Sequence, residues 1–404
     1  MFRGASRVVA AAAAGALLLA GCAGLSEDSS DRAGSDHAGA DHAGADDPGH
    51  DATEAPADHG GHGASGEPVA QKPLRAGERF ADLRMPEPYT PSAPTGVGTD
   101  DYRCFLLDPE LAEDAFLTGL DVLPGNPDVV HHVILFQVPP DKVAAARATD
   151  EAAGGEGWTC FGGSGVGSPG DSLDAAPWIG AWAPGGGGTV HRKGFGIPME
   201  AGTQVVMQVH YNLLAGDEPD TSAARLRLAP GDARVEPLDT LLLPAPVELP
   251  CRPGKTGPLC NRAKAMADVK ARFGEGPGSQ GDLLHLLCGA EDIGPVQSCS
   301  RPATRAMTIR AAAGHMHLLG RAIKVAVNGR TVLDIPVWDF DDQKSRPVKP
   351  VRVEPGDTLT VTCRHDQSLR DQLPAFDGQE ERYVVWGEGT TDEMCLGILL
   401  VTRS

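Results

Sequence analysis

Two stretches decide how the chain reads, Val129-Val-His-His-Val-Ile-Leu-Phe-Gln-Val138 and Gln204-Val-Val-Met-Gln-Val-His-Tyr211. Both are short apolar runs rich in Val, and the first follows the turn signal Leu123-Pro-Gly-Asn126. Runs of this kind, bounded by Gly, Pro, Asn and Asp, read as β-strands. They recur at Ala322–Val327, Thr331–Pro336, Thr358–Cys363, Tyr383–Trp386 and Cys395–Val401, and a second turn signal, Glu354-Pro-Gly-Asp357, precedes Thr358. Several alternate, which favours antiparallel strands packed in sandwiches. Only Asn261–Phe273 reads as a helix, with Gly274 as its stop. The expected fold is all-β, two antiparallel jelly-roll-like sandwiches with a small helical insertion.

Composition agrees. The chain has 404 residues, 51 of them Gly and 33 Pro, a turn-rich usage that disfavours long helices. Charged residues are 22%, so most of the chain can bury a core, and 35 basic against 55 acidic residues give a net charge of −20. That balance excludes nucleic acid as a natural partner, and no run of apolar residues suggests a polytopic membrane protein. A coil boundary near 230–245 divides the folded part into 86–235 and 236–404, the second with an insertion at about 250–300.

The N-terminus is built differently. Arg3 and Arg7 precede an apolar run, Val8–Ala20, too short to span a membrane comfortably. It ends in Leu19-Ala-Gly-Cys22, which resembles the lipobox of bacterial lipoproteins. Residues 1–22 then read as a lipoprotein signal peptide and lipobox, cut before Cys22, which is the expected lipidation site, so that the chain is tethered to the outer face of the cell membrane. Residues 23–85 read as a disordered leash. Its first part is mostly Ala, Gly, Asp, Ser, Pro and His, without Val, Ile, Phe or Trp before Val69, and cannot offset its ordering entropy by apolar burial. His37, His42, His50, His59 and His62 lie here. They could capture metal weakly, or the segment is a hydrophilic spacer, the reading favoured here.

Eight cysteines follow Cys22, at 104, 160, 251, 260, 288, 299, 363 and 395. An even count in an exported chain reads as disulfides. Of the histidines in the folded part, His315 and His317 form a His-x-His pair, which on a strand points both rings to one face. His131 and His132 are adjacent and need an irregular backbone to converge; His210 stands in the second strand quoted above. Imidazole ligation suits copper or zinc, and a thioether such as Met394 would select Cu(I).

In order along the chain come Tyr102-Arg-Cys-Phe105, Val129-Val-His-His132, Gln208-Val-His-Tyr211, His315-Met-His-Leu-Leu-Gly320, Pro355-Gly-Asp-Thr358 and Asp392-Glu-Met-Cys395. This series resembles the copper type II ascorbate-dependent monooxygenases, the family of dopamine β-hydroxylase and peptidylglycine α-hydroxylating monooxygenase, from about residue 100 to the C-terminus. The resemblance implies two β-sandwich domains, each with one copper, facing one another across an open, solvent-filled cleft. It implies that His131, His132 and His210 form an electron-transfer site. His315, His317 and Met394 would form the site where dioxygen binds and a substrate C–H bond is hydroxylated, with ascorbate or a similar reductant as co-substrate. Gln208 matches the family too and would share a strand face with His210. The resemblance pairs Cys104 with Cys160 and Cys363 with Cys395; for the other four cysteines, outside it, Cys251–Cys260 and Cys288–Cys299 is the preferred of three pairings.

The departures concern substrate. Where peptidylglycine enzymes hold the peptide carboxylate by Arg, Asn and Tyr, this chain has Ala313, Leu396 and Ile398. A buried carboxylate without partners is poorly stabilised, so glycine-extended peptides are not expected. Leu396, Ile398, Leu400 and Trp386 suggest an apolar pocket, or simply core. His191 and His365 read as surface residues, and Trp178, Trp182 and Trp338 as core anchors. The expected function is a copper monooxygenase acting on a small molecule with O2; the alternative is a non-catalytic lipoprotein for copper capture or sensing.

Overall fold

The strand from Val130 to Val138 pairs antiparallel with Gln204–Asn212, which in turn pairs with Asp100–Leu107. The computed structural model describes residues 72–93, 99–166, 178–184, 186–214, 216–289 and 293–403. The signal segment, Cys22 and the histidines of the leash lie outside these residues. So do Val69 and Ala70.

Trp158–Thr159 and Trp178–Trp182 complete a five-stranded sheet around that trio. It packs on a second sheet whose local order is Arg79–Arg84, Ala223–Pro230, Ala115–Leu123, Phe195–Met199. Between them lies an apolar core. Leu83, Leu117 and Leu226 fill it from one side, and Leu135, Met207 and Tyr211 from the other. A second sandwich sets the four-stranded sheet Val296–Pro302, Thr358–His365, Gly320–Val327, Arg330–Ile335 against Glu236–Pro244, Leu396–Arg403, Met307–His315 and Arg346–Val353. Ile309, Leu399 and Val401 meet Ile323, Val325 and Val361 there. The fold is all-β and sandwich-like, with small helical parts, as expected.

The expected coil boundary is corrected. Glu236–Pro244 is a strand, parallel to Phe195–Met199 at its start and antiparallel to Leu396–Arg403 along its length. One long sheet therefore serves both cores, with Leu238 in the first and Leu241 and Leu243 in the second. The leash is also shorter than 23–85. Ala81, Leu83 and Met85 are buried while Asp82 and Arg84 are exposed, and this alternation seats Arg79–Arg84 on Ala223–Pro230. Arg227 adds a bond to the Lys72 carbonyl.

The helix is Arg262–Phe273, with the Asn261 side chain accepting from the Lys264 amide and Gly274 at φ 85° ending it. Besides the single turn Glu275–Gly278, two longer helices among the described residues were not expected, Pro140–Ala152 and Gln280–Cys288. The first buries only Ala146, so it leaves no apolar stripe to read. The second is leucine-rich on both faces, with Leu284 buried and Leu283, Leu286 and Leu287 exposed. All four disulfides are those named above, Cys104–Cys160, Cys251–Cys260, Cys288–Cys299 and Cys363–Cys395.

Candidate metal centre

A register shift between Val130 and His132, opposite His210, is the irregularity that the adjacent histidines require. The bulge lies at His131 itself. The extra residue turns both rings toward the same neighbour strand. The Nδ1 atoms of His131 and His132 are 3.2 Å apart, and those of His210 lie 3.3 Å from His131 and 3.2 Å from His132. All three rings are buried.

The tautomer of one ring is fixed by its partner. His210 Nε2 lies 2.8 Å from Asp100 Oδ1, and a carboxylate only accepts, so Nε2 carries the proton and Nδ1 presents a bare lone pair to the cluster. Asp100 also accepts from the Thr390 amide at 3.1 Å and from the Thr390 hydroxyl. Burial alone would raise its pKa, but the bonds from His210 and Thr390 hold it below the ordinary value. Burial is the largest cause pushing the His132 pKa well down, with His210 and His131 adding to it, so that ring is neutral.

This set fits a metal ion. A triangle of nitrogens with edges of 3.2–3.3 Å has its centre about 1.9 Å from each corner, close to a metal–imidazole bond of about 2.0–2.1 Å. Among the described residues it is the one group of three or more His, Cys, Asp or Glu whose ligand atoms converge in this way.

His315 ends the strand Met307–His315, and His317 follows in the loop, their ring centroids 5.2 Å apart. Gln343 Nε2 donates to the Phe340 carbonyl at 2.8 Å, which turns its Oε1 toward His315 Nδ1 at 2.5 Å. His315 Nδ1 is thus the donor, and Nε2 is left for a ligand. Burial, then His317, push the His315 pKa down to about 3 against the opposing Gln343 bond. Burial also lowers that of His317, with Glu393 opposing. Both nitrogens of His317 are buried without a hydrogen-bond partner. Such atoms cost roughly 1–3 kcal/mol each when left alone, and an ion at this point would satisfy one.

Glu393 organises the neighbourhood, a role that the Asp392-Glu-Met-Cys395 motif does not reveal by itself. Fully buried, it accepts from the amides of His317 at 3.2 Å and Leu319 at 2.5 Å, and pairs with His365 Nε2 at 3.3 Å. It therefore clamps the loop carrying His317 to the residue preceding Met394. Met394 is buried with Leu242, Leu284, Trp386 and Leu396, and Leu396 is the strand partner of His315. Close sheet packing beside this point uses Gly397, where a Cβ would lie 2.9 Å from Val325 Cγ2.

Several expectations are corrected here. Among the described residues no open cleft separates the two histidine groups, because the rings of His132 and His315 have centroids 5.7 Å apart and Phe340 stacks on His131 at 4.3 Å. The shared sheet and cross-contacts bring them together; Tyr102, stacked on His210, donates its hydroxyl to the Glu388 carbonyl at 2.6 Å. His365 and His191 are buried, not surface residues. His365 Nε2 lies 3.3 Å from Glu393, and burial, then Arg75, push the His191 pKa down to about 4. Gln208 donates to the Gly163 carbonyl at 3.0 Å and so holds the Cys160 loop. Leu400 packs on the first core instead of beside Met394, whereas Ile398 and Trp178 border the Met394 cluster. Of the tryptophans read as core anchors, Trp338 is buried and Trp178 and Trp182 are half-buried.

No protein-family model matches the chain, and no curated protein does. Solved structures similar to it include an anti-sigma factor domain-containing protein, at 8% identity over 76% of this chain and 91% of that one, with a TM-score of 0.15. Dimeric latent PorU from Porphyromonas gingivalis shares 9% identity over 78% of this chain and 25% of its own, TM-score 0.17. The VP2 subviral particle of infectious bursal disease virus shares 9% over 81% and 72%, TM-score 0.16. Scores this low carry no argument about fold or function.

Proposed function

We propose that the chain is a two-centre copper protein that hydroxylates a C–H bond of a small molecule with O2 and a one-electron reductant such as ascorbate. The observation carrying this reading is the convergence of three buried Nδ1 atoms at His131, His132 and His210, with the His132 ring centroid 5.7 Å from that of His315, whose strand partner Leu396 packs with Met394. Copper bound at these positions would supply one-electron redox chemistry and activation of dioxygen. His131, His132 and His210 would hold the electron-transfer ion; His315, His317 and Met394 would hold the one that meets O2.

The protein's own part is orientation and exclusion. Asp100 and Gln343 fix which nitrogen of His210 and His315 is bare, and burial keeps His132, His315 and His317 neutral and so able to ligate. Leu242, Leu284, Trp386 and Leu396 keep the surroundings of Met394 apolar. Ala313 and Ile398, paired across the strands beside His315, offer no carboxylate anchor at these positions, which favours an apolar small molecule. Four disulfides and the Leu19–Cys22 lipobox support an exported, lipid-anchored chain outside the cell membrane.

The close contact of His132 with His315 favours one second reading, a closed copper-capture protein without turnover. Ascorbate-driven O2 uptake by the copper-loaded protein, across a panel of amines and neutral aromatics, separates the two. Uptake that depends on both copper and substrate supports the hydroxylase; tight copper binding with no uptake leaves capture.

A further inference from the structure

The turn between Trp338 and Arg346 touches a ligand of each candidate centre. Phe340, half-buried, lies flat on His131 with ring centroids 4.3 Å apart and planes 17° from parallel. Three residues later, Gln343 accepts from His315 Nδ1. The turn is braced internally, since Gln343 Nε2 donates to the Phe340 carbonyl at 2.8 Å and the Asp341 amide donates to Asp339 Oδ1 at 2.9 Å. Its root is held by the Trp338 amide bonded to the Arg321 carbonyl. Phe340 and Gln343 thus cannot move independently: the amide that orients His315 also fixes the backbone of the residue covering His131.

We propose that residues 339–343 form a positioning strap that serves both centres, with Gln343 holding His315 so that Nε2 is presented and Phe340 covering His131. The inference rests on the two-centre reading above. The partner of a metal-bound imidazole normally changes metal affinity by about 10–100-fold when removed, and an aromatic ring lying over a ligand limits access of solvent and chelator to the ion behind it.

The test uses the full chain with Gln343→Leu, Gln343→Glu and Phe340→Ala. In the metal-free protein, 15N NMR of the imidazoles should show His315 protonated at Nδ1. Gln343→Leu should lose that signature, and Gln343→Glu, which restores an acceptor, should recover it. In the copper-loaded protein, Gln343→Leu should weaken copper at His315/His317 by about 10–100-fold while leaving His131/His132/His210 unchanged. Phe340→Ala should speed chelator removal of copper from the latter site. The strap is overturned if Gln343→Leu keeps both the Nδ1–H signature and wild-type affinity, or if every variant weakens both centres equally in step with a lower Tm. A wild-type chain with the Nδ1–H signature but no tight copper at His315/His317 would instead overturn the two-centre reading, and the strap's role toward metal with it.

Discussion

Replacing Asp100 with Asn removes one charge and almost no volume. Asp100 Oδ1 takes bonds from His210 Nε2 at 2.8 Å, from the Thr390 amide at 3.1 Å and from the Thr390 hydroxyl. In Asp100→Asn the oxygen can still accept, but each bond loses its charge-assisted share, the difference between roughly 1.5–3 and 0.5–1.5 kcal/mol. Relief from burying an anion offsets part of this, so a stability loss of about 1–3 kcal/mol is expected near neutral pH. The sign of its pH dependence follows from the lowered Asp100 pKa. A carboxylate held below its unfolded value stabilises above that value, and the stabilisation is lost as pH falls through the folded pKa. The gap between wild type and variant should therefore narrow in acid. Copper affinity at His131/His132/His210 should fall about 10–100-fold, with His315/His317 unaffected. Chelator competition on each centre, with urea melts at neutral and acid pH, measures both effects. An unchanged affinity at the three-histidine site, or an equal loss at both sites, would refute the argument.

The other expectations are briefer. Met394→Ile keeps apolar bulk within the Leu242/Trp386 cluster and should cost less than about 1.5 kcal/mol, yet abolish turnover; a variant that hydroxylates at the wild-type rate contradicts it. Burial and then Asp392 raise the Glu388 pKa to about 7, so its contribution favours the fold below the unfolded carboxylate value and is lost as pH rises through 7. Glu388→Gln should be more stable than wild type at pH 8, by up to roughly 3 kcal/mol, and not at pH 5, as read from urea midpoints. Leu226→Ala, at a fully buried position in the first core, should cost about 2–5 kcal/mol in a denaturant titration. Cys22→Ser should move the chain from the membrane to the soluble fraction or leave it uncleaved, as fractionation and fatty-acid-analogue labelling will report.

The strands were legible because Val, Leu and Ile alternate with polar residues between Gly and Pro breaks, and the Glu354-Pro-Gly-Asp357 turn is seen with Gly356 at φ 92°. Arg79–Arg84 carried the same alternation, but its neighbourhood to residue 78 is so polar that its few apolar positions were absorbed into the leash. The helix Pro140–Ala152 left no signal because only one residue is buried. At the site, His131, His132 and His210 were found from residue type and order, and the need for a bulge followed from strand geometry. Asp100, Gln343, Glu393 and Phe340 were not found. Each lies far along the chain from the ligand it touches, 110 residues for Asp100 and His210 and 28 for Gln343 and His315. Asp, Gln and Glu are also common on surfaces, and a lone Phe reads as core. The contact of buried His365 with Glu393 likewise joins residues 28 apart in the chain, which no local pattern encodes.

The central claim is two chemically different copper sites in one chain. X-ray absorption at the copper edge, on protein trimmed of residues 23–71 but keeping the Lys72 contact with Arg227, then loaded and reduced, tests it most directly. The account predicts two tightly held coppers with one copper–sulfur contribution between them, lost in Met394→Ile while the His131/His132/His210 ion remains. Zero or one bound copper, or two with nitrogen and oxygen scattering alone, would contradict it.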